Sequence, residues 1–257
     1  MSKERTILAG LAVALVMPAT LSSQGQLEPV MAPHSVVAGR DLGEWSALWW
    51  KWALSIPATD NPLLDTNGAK SKFGDVGPVF FLTGELTPFG GTPPVAVTRS
   101  VTIPANKFIF FPVENAWIDN VGNGCAVPTT TPCAGRLTID QLFTQLEGLL
   151  TVTALHASID HKPVGDLFAH RETAPAFSYS LQITDSLAEA VFGYAGADAV
   201  GPVFPAVADG YYLMLNPLPV GQHTINFGGT VAGASLDVTY HVTVTAKPSH
   251  EPAVLIP

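Results

Sequence analysis

Two carboxylic acids five positions apart, Glu114 and Asp119, enclose Asn115 and Trp117 in the run Glu-Asn-Ala-Trp-Ile-Asp-Asn that starts at Glu114. Carboxylates held at the end of a rigid strand can serve as a general acid and base, or as oxygen ligands for a hard cation. Glycosidic chemistry would require the pair to stand about 5–10 Å apart across a sugar ring. The plainer reading is that both cap turns and satisfy loop amides. Trp117 and Asn115, with Trp50 from the N-terminal third, are the candidate ligand contacts, since an exposed indole stacks on flat faces and an amide fixes orientation.

A second constellation is His156, Ser158 and Asp160, followed by His161. Positions i, i+2 and i+4 of a strand share one face, so a His-Ser-Asp row is sterically available. A nucleophilic triad also needs an oxyanion hole, and no Gly-x-Ser-x-Gly elbow occurs. A polar row on a solvated strand face is the commoner arrangement, and His156 stands beside Glu114 and Asp119 as a catalytic candidate. The seven histidines form no His-x-His or His-Glu-x-x-His spacing. His223 shares parity with Ile225 and Phe227, which predicts an interior or edge position, whereas His241 falls on a polar face. Asp65-x-Asn67-Gly68 starts like a calcium loop but lacks the later ligands and closing Glu. No metal set and no cofactor motif are read.

The elements that must position these residues follow from periodicity. Asp41 with Glu44 forms a capping box and predicts a helix over 42–55, stopped at Pro57. Trp45, Leu48, Trp49 and Trp52 make its apolar stripe, with Trp50 off it. Residues 57–77 read as loop, 78–83 as a short buried strand, and 95–103 as an alternating, half-buried strand. Phe108 to Phe111 reads as a strand buried on both faces, with the Glu114 run leaving it as a loop. Thr138 and Gln141 cap a second helix whose apolar face is Ile139, Leu142, Phe143, Leu146 and Leu149. Strands are predicted at 151–160, 177–181, 211–215, 222–227 and 235–245, with a helical turn at 185–192. Gly228-Gly229 reads as a turn, and the Ala-, Gly- and Pro-rich stretch 193–210 as a long connection or lid. The expected fold is mainly β with two or three short helices, an antiparallel β-sandwich of immunoglobulin-like or jelly-roll-like type.

The chain ends indicate export. Lys3 and Arg5 precede an apolar run interrupted at Pro18, and small residues follow, the anatomy of a signal peptide over 1–25 cleaved within 22–26. A membrane anchor would need a longer unbroken run. A single β-rich domain is then expected over 26–246, with a Pro-rich tail over 247–257. Removing Lys3, Glu4 and Arg5 leaves 10 basic and 20 acidic residues, a net charge of about −10. That balance argues against nucleic acid and against docking on anionic membranes, both of which reward Lys/Arg clusters. Cys125 and Cys133 bracket a loop stiffened by two prolines and lack zinc-site spacing, so a disulfide is expected in an oxidising compartment.

The run from Trp45 to Pro57 (Trp-Ser-Ala-Leu-Trp-Trp-Lys-Trp-Ala-Leu-Ser-Ile-Pro) is joined by Gly77 to Gly84, Ile103 to Pro112, Ala206 to Tyr212 and Pro217 to Gly228. With these segments the chain resembles a family of uncharacterised exported bacterial proteins, over most of its predicted mature length. The resemblance implies membership and export, and brings no activity with it. The family pattern includes a further cysteine pair near 71 and 101, where this chain has Ser71 and Val101, so that crosslink is missing here. The strand from Gly221 to Phe227 is also similar to late strands of bacterial immunoglobulin-like modules, an analogy of fold alone.

These features point to a secreted or periplasmic, non-enzymatic β-sandwich protein that binds an extracellular ligand, such as a glycan, or a protein partner surface. The alternatives are a secreted hydrolase acting on glycans or esters, and a structural envelope or matrix component.

Overall fold

The computed structural model describes residues 28–86, 96–121, 124–125, 133–181, 185–192 and 201–246. The expected leader and its cleavage zone, most of the Cys125–Cys133 loop, residues 193–200 and the 247–257 tail lie outside the described residues.

From Glu28 an extended strap runs along the end of a long strand: Val30 bridges Leu215, and the Met31 amide donates to the Met214 carbonyl at 2.8 Å. A short ribbon of β1 (Val36–Val37) and β2 (Arg40–Asp41) leads into α1 (Leu42–Ser55). Both halves of the expected capping box are formed: Asp41 accepts from the Glu44 amide, and Glu44 from that of Asp41. Short 3-10 turns then lead to β3 (Asp75–Val76), β4 (Val79–Phe81), β5 (Ala96–Pro104) and β6 (Phe108–Asp119). Next come α2 (Ile139–Leu149), capped by Thr138 and Gln141, then β7 (Val152–Ile159), β8 (Lys162–Pro163), β9 (Arg171–Thr173), β10 (Phe177–Leu181) and α3 (Leu187–Phe192). Three long strands close the described chain: β11 (Gly201–Leu215), β12 (Gly221–Val231) and β13 (Ala234–Thr245).

The chain is therefore mainly β, with three short helices and several sheets. One sheet has the order β10-β11-β6-β4-β3, with β9 also on β11; another has the order β5-β13-β12-β7-β8. The expectation of purely antiparallel pairing is corrected, because β4 runs parallel to β6 and β5 parallel to β13. Phe80, Ile109, Phe111, Leu213 and Leu215 of the first sheet pack with Ile159, Ile225, Phe227, Val238 and Val242 of the second in one apolar cluster. The other face of the first sheet is covered by α1. Leu142 and Leu146 of α2 cover Val207 beyond the reach of the second sheet.

Three local expectations are overturned. Residues 201–210 are strand, and the Gly read as loop is needed where β11 runs beside β6: a β-carbon on Gly210 would stand 2.5 Å from that of its ladder partner Asn115. Gly228 and Gly229 lie inside β12 rather than at a turn, where a β-carbon on Gly228 would meet the Leu236 carbonyl oxygen at 2.0 Å. The helical stripe is rotated as well: Trp50 is 2% exposed, while Leu48 and Trp52 are only half-buried. Ser46, Ala47 and Ala53 are small, gave little apolar signal, and let the helix sit close to the sheet on Trp50's side.

The tryptophans also tie α1 down by their polar edges. Trp45, Trp49 and Trp52 donate Nε1–H to the carbonyls of Val37, Leu82 and Phe73 at 2.9, 2.9 and 2.8 Å. Cys125 and Cys133 are disulfide-bonded, with Cα atoms 5.6 Å apart. Among the described residues no helix is long and apolar enough to cross a membrane.

Candidate functional site

Pro112 cannot donate to a ladder, which is why the sequence suggests that the strand ends there. Instead β6 continues through a bulge: Pro112 pairs with Tyr212 and Glu114 with Tyr211, so Val113 is the extra residue. The run Glu114–Asp119 is thus strand, and its parity decides what it can do. Glu114 points toward the second sheet, against Gly229 of β12. Asn115, Trp117 and Asp119 point the other way, toward α1. Five residues of strand put the two carboxyls about 17 Å apart along the chain direction, on opposite faces. They cannot flank one scissile bond.

On the α1 side the candidates do meet. The Trp50 and Trp117 rings lie 4.3 Å apart, centroid to centroid, and the Asn115 amide donates to the Tyr212 hydroxyl at 3.2 Å. Asp119 accepts from the Tyr179 hydroxyl at 2.6 Å and from the Val121 amide at 2.7 Å. Trp50 Nε1 is buried without a hydrogen-bond partner. Glu114 is different in kind, since burial alone pushes its carboxyl up to about 7.

The histidine candidates are occupied. His156 Nε2 faces Asp237 Oδ1 at 3.0 Å across Gly228, whose lack of a side chain leaves room for the ring. Asp237 also accepts from Asn226 at 2.6 Å. Burial would raise the Asp237 carboxyl, but the His156 and Asn226 hydrogen bonds and the His156 charge hold it below the usual range. His223 Nδ1 faces Asp160 Oδ2 at 2.8 Å and its Nε2 faces the Pro219 carbonyl at 2.8 Å, so neither nitrogen is left for a ligand. Asp65 accepts from the amides of Asn67, Gly68 and Lys70, an Asx-type turn in place of a calcium loop. Among the described residues no group of three or more His, Cys, Asp or Glu side chains could hold a metal ion.

A cleft of about 910 Å³ opens where the 28–32 strap, the β7–β8 turn and the loop into β12 meet. Val30, Met31, Ile159, Val164 and Leu218 give it apolar walls; Glu28, Asp160, Lys162, His170 and His223 supply its polar groups. Its size falls in the range of small-molecule sites. His170 ends the 3-10 turn Leu167–His170, is 6% exposed, and has Nδ1 buried without a hydrogen-bond partner. Burial holds this imidazole below its ordinary value, against the opposing pull of Glu172 and Asp166, while His34 adds to the lowering.

Sequence reasoning missed His170, and no periodic signal marks it: it follows an irregular segment and precedes a three-residue strand. It also passed over Arg99, whose signal was present. Arg99 shares the inward parity of Val97, Val101 and Ile103, and it is 1% exposed. Its guanidinium donates to the carbonyls of Asp65, Thr83 and Gly84 at 2.6, 2.7 and 2.8 Å and to the Tyr240 hydroxyl at 2.8 Å.

No protein-family model matches the chain, and neither a curated protein nor a solved structure shows a significant match to it.

Proposed function

We propose that this is an exported, non-enzymatic binding protein: a two-layer β-sandwich that takes an extracellular ligand in the cleft between its N-terminal strap and the β7–β8 turn. The observation that carries this reading is the cleft itself, about 910 Å³ with apolar walls and a few polar side chains. The face-to-face sheets support the sandwich, although the parallel pairs depart from the immunoglobulin-like and jelly-roll-like patterns. The disulfide supports an oxidising compartment.

One observation favours the hydrolase instead. A carboxyl raised to about 7 by burial is poised for proton transfer near neutral pH. Its intended partner Asp119 lies on the opposite face of β6, which leaves Glu114 without a second carboxylate from that strand.

The test is a panel of glycans and small esters on the purified protein, read by thermal shift and by turnover, with Glu114→Ala as control. Binding without turnover supports the proposal, and turnover that disappears in Glu114→Ala overturns it.

A further inference from the structure

The C-terminal segment leaves the fold beside the cleft. Val244 of β13 pairs with Gly221, the first residue of β12, and the Thr245 carbonyl accepts from the Ala105 amide at 2.7 Å. The loop that enters β12, with Pro217, Leu218 and Pro219, is itself one wall of the cleft. Residues 247–257, outside the described residues, therefore start next to that wall. Val220, between the wall and Gly221, presents a further aliphatic side chain to solvent, 62% exposed.

The segment reads Lys-Pro-Ser-His-Glu-Pro-Ala-Val-Leu-Ile-Pro. Its last five residues carry no side-chain charge and include three bulky aliphatics, Val254, Leu255 and Ile256, each of which gains by leaving water. Val254 is nine residues beyond Thr245, and in the extended conformation that prolines favour nine residues span about 28 Å. The far side of the cleft is within that reach. Ile159 of β7 is two strand spacings from β13, about 10 Å, and lies level with Tyr240, about 17 Å along the strand from Thr245. The prolines also restrict the free chain, which lowers the cost of ordering it. On the lining, Asp160 is already answered by His223 at 2.8 Å, so the apolar walls are the surface left to cover.

We propose that the cleft is a peptide groove whose resident occupant is the chain's own 247–257 segment, with Val254, Leu255 and Ile256 against Val30, Met31, Val164 and Leu218. This rests on the cleft being the ligand site, and it adds the class of ligand: an extended, proline-containing segment with an uncharged aliphatic end. A tethered occupant competes at an effective concentration on the order of millimolar. An external ligand therefore binds by displacing it.

The test compares the full chain with a variant ending at Ala246, both isolated from an exporting host. Each is titrated calorimetrically with a synthetic peptide of residues 247–257. The shortened chain is expected to bind the peptide, and the full chain to bind it roughly ten-fold more weakly, because its own segment is in place. A peptide carrying Val254→Ser, Leu255→Ser and Ile256→Ser should not bind, and Val164→Asp in the shortened chain should abolish binding of the unaltered peptide. Should Val164→Asp fail to fold, a peptide with a photoreactive group at position 255 locates the site. Crosslinks to residues 28–32, 159–165 or 216–220 support the proposal, and crosslinks elsewhere overturn it. Equal affinity of the two chains for the peptide, or no binding to the shortened chain, also overturns it. The glycan and ester panel on the shortened chain separates this from the cleft's role as a ligand site. A thermal shift there keeps the cleft without its resident segment, and no response to panel or peptide removes both.

Discussion

The Glu114 side chain lies against Gly229 of the facing sheet: a β-carbon built on Gly229 would stand 2.8 Å from Glu114 Cγ and 3.1 Å from its Oε1. An acid is thus held between two β-layers at a point where the opposite strand has no side chain. Burial pushes it from 4.5 up to about 7. The folded state therefore binds this proton more tightly than the unfolded chain. The associated stability is complete below about pH 4.5 and is lost as the pH rises through about 7. Roughly 2–3 kcal/mol is at stake across that window. Urea unfolding should show Glu114→Gln more stable than wild type near pH 8, with the difference closing near pH 5. Parallel curves for the two proteins would remove the buried acid from the explanation.

Asp160 and Asp237 should bend the profile the other way. Burial tends to raise Asp160, but the His223 hydrogen bond, the Thr224 amide and the charges of His223 and His161 outweigh it and hold the carboxyl low. Groups held low add stability above the ordinary carboxylate range and give it up on acidification. His223→Gln and His156→Gln should each move the acid unfolding midpoint to higher pH. Both side chains sit partly in solvent, so the shifts should be small and should shrink in high salt.

Arg99 joins three segments through oxygen acceptors rather than a carboxylate. Arg99→Met keeps the bulk and strands the carbonyls of Asp65 and Gly84, while the Thr83 carbonyl and the Tyr240 hydroxyl lose one partner but keep each other. A loss of roughly 3 kcal/mol is expected, since each orphaned buried group costs on the order of 1–3 kcal/mol and neighbouring water relieves some of them. Arg99→Lys should recover part of it. A denaturation midpoint unchanged in Arg99→Met would show that the network contributes nothing.

The Cys125–Cys133 bridge closes a loop of sequence separation 8. Removing it with Cys125→Ser/Cys133→Ser should cost about 2.5 kcal/mol through the freedom regained by the unfolded chain. Mass spectrometry with and without reduction, followed by thermal unfolding, checks both the bond and its effect.

What was legible in the sequence was whatever depends on strict local pattern. The two capping boxes and the alternation of β5, β10 and β13 follow from residue type at fixed spacing. What was not legible depends on contacts between distant segments. Gly228, Gly229 and Gly210 read as loop residues because a sequence does not show the neighbour that forbids a side chain. Pro112 read as a strand end because a bulge is visible only against its partner, Tyr211–Tyr212. That misreading placed Glu114 and Asp119 on a loop, free to converge, when strand parity sends them to opposite faces. His170 carries no pattern at all, and its lone nitrogen is apparent only once the strap, the hairpin and the 3-10 turn are assembled around it.

Hydrogen exchange of the backbone amides, with and without the glycan or ester that gives the largest thermal shift, tests most directly where a ligand sits. Added protection should concentrate in residues 28–32, 159–170 and 216–223, with α1 and the Asn115–Asp119 end of β6 unchanged. Protection confined to the Trp50–Trp117 side, or none at saturating probe, would contradict a binding site in this cleft.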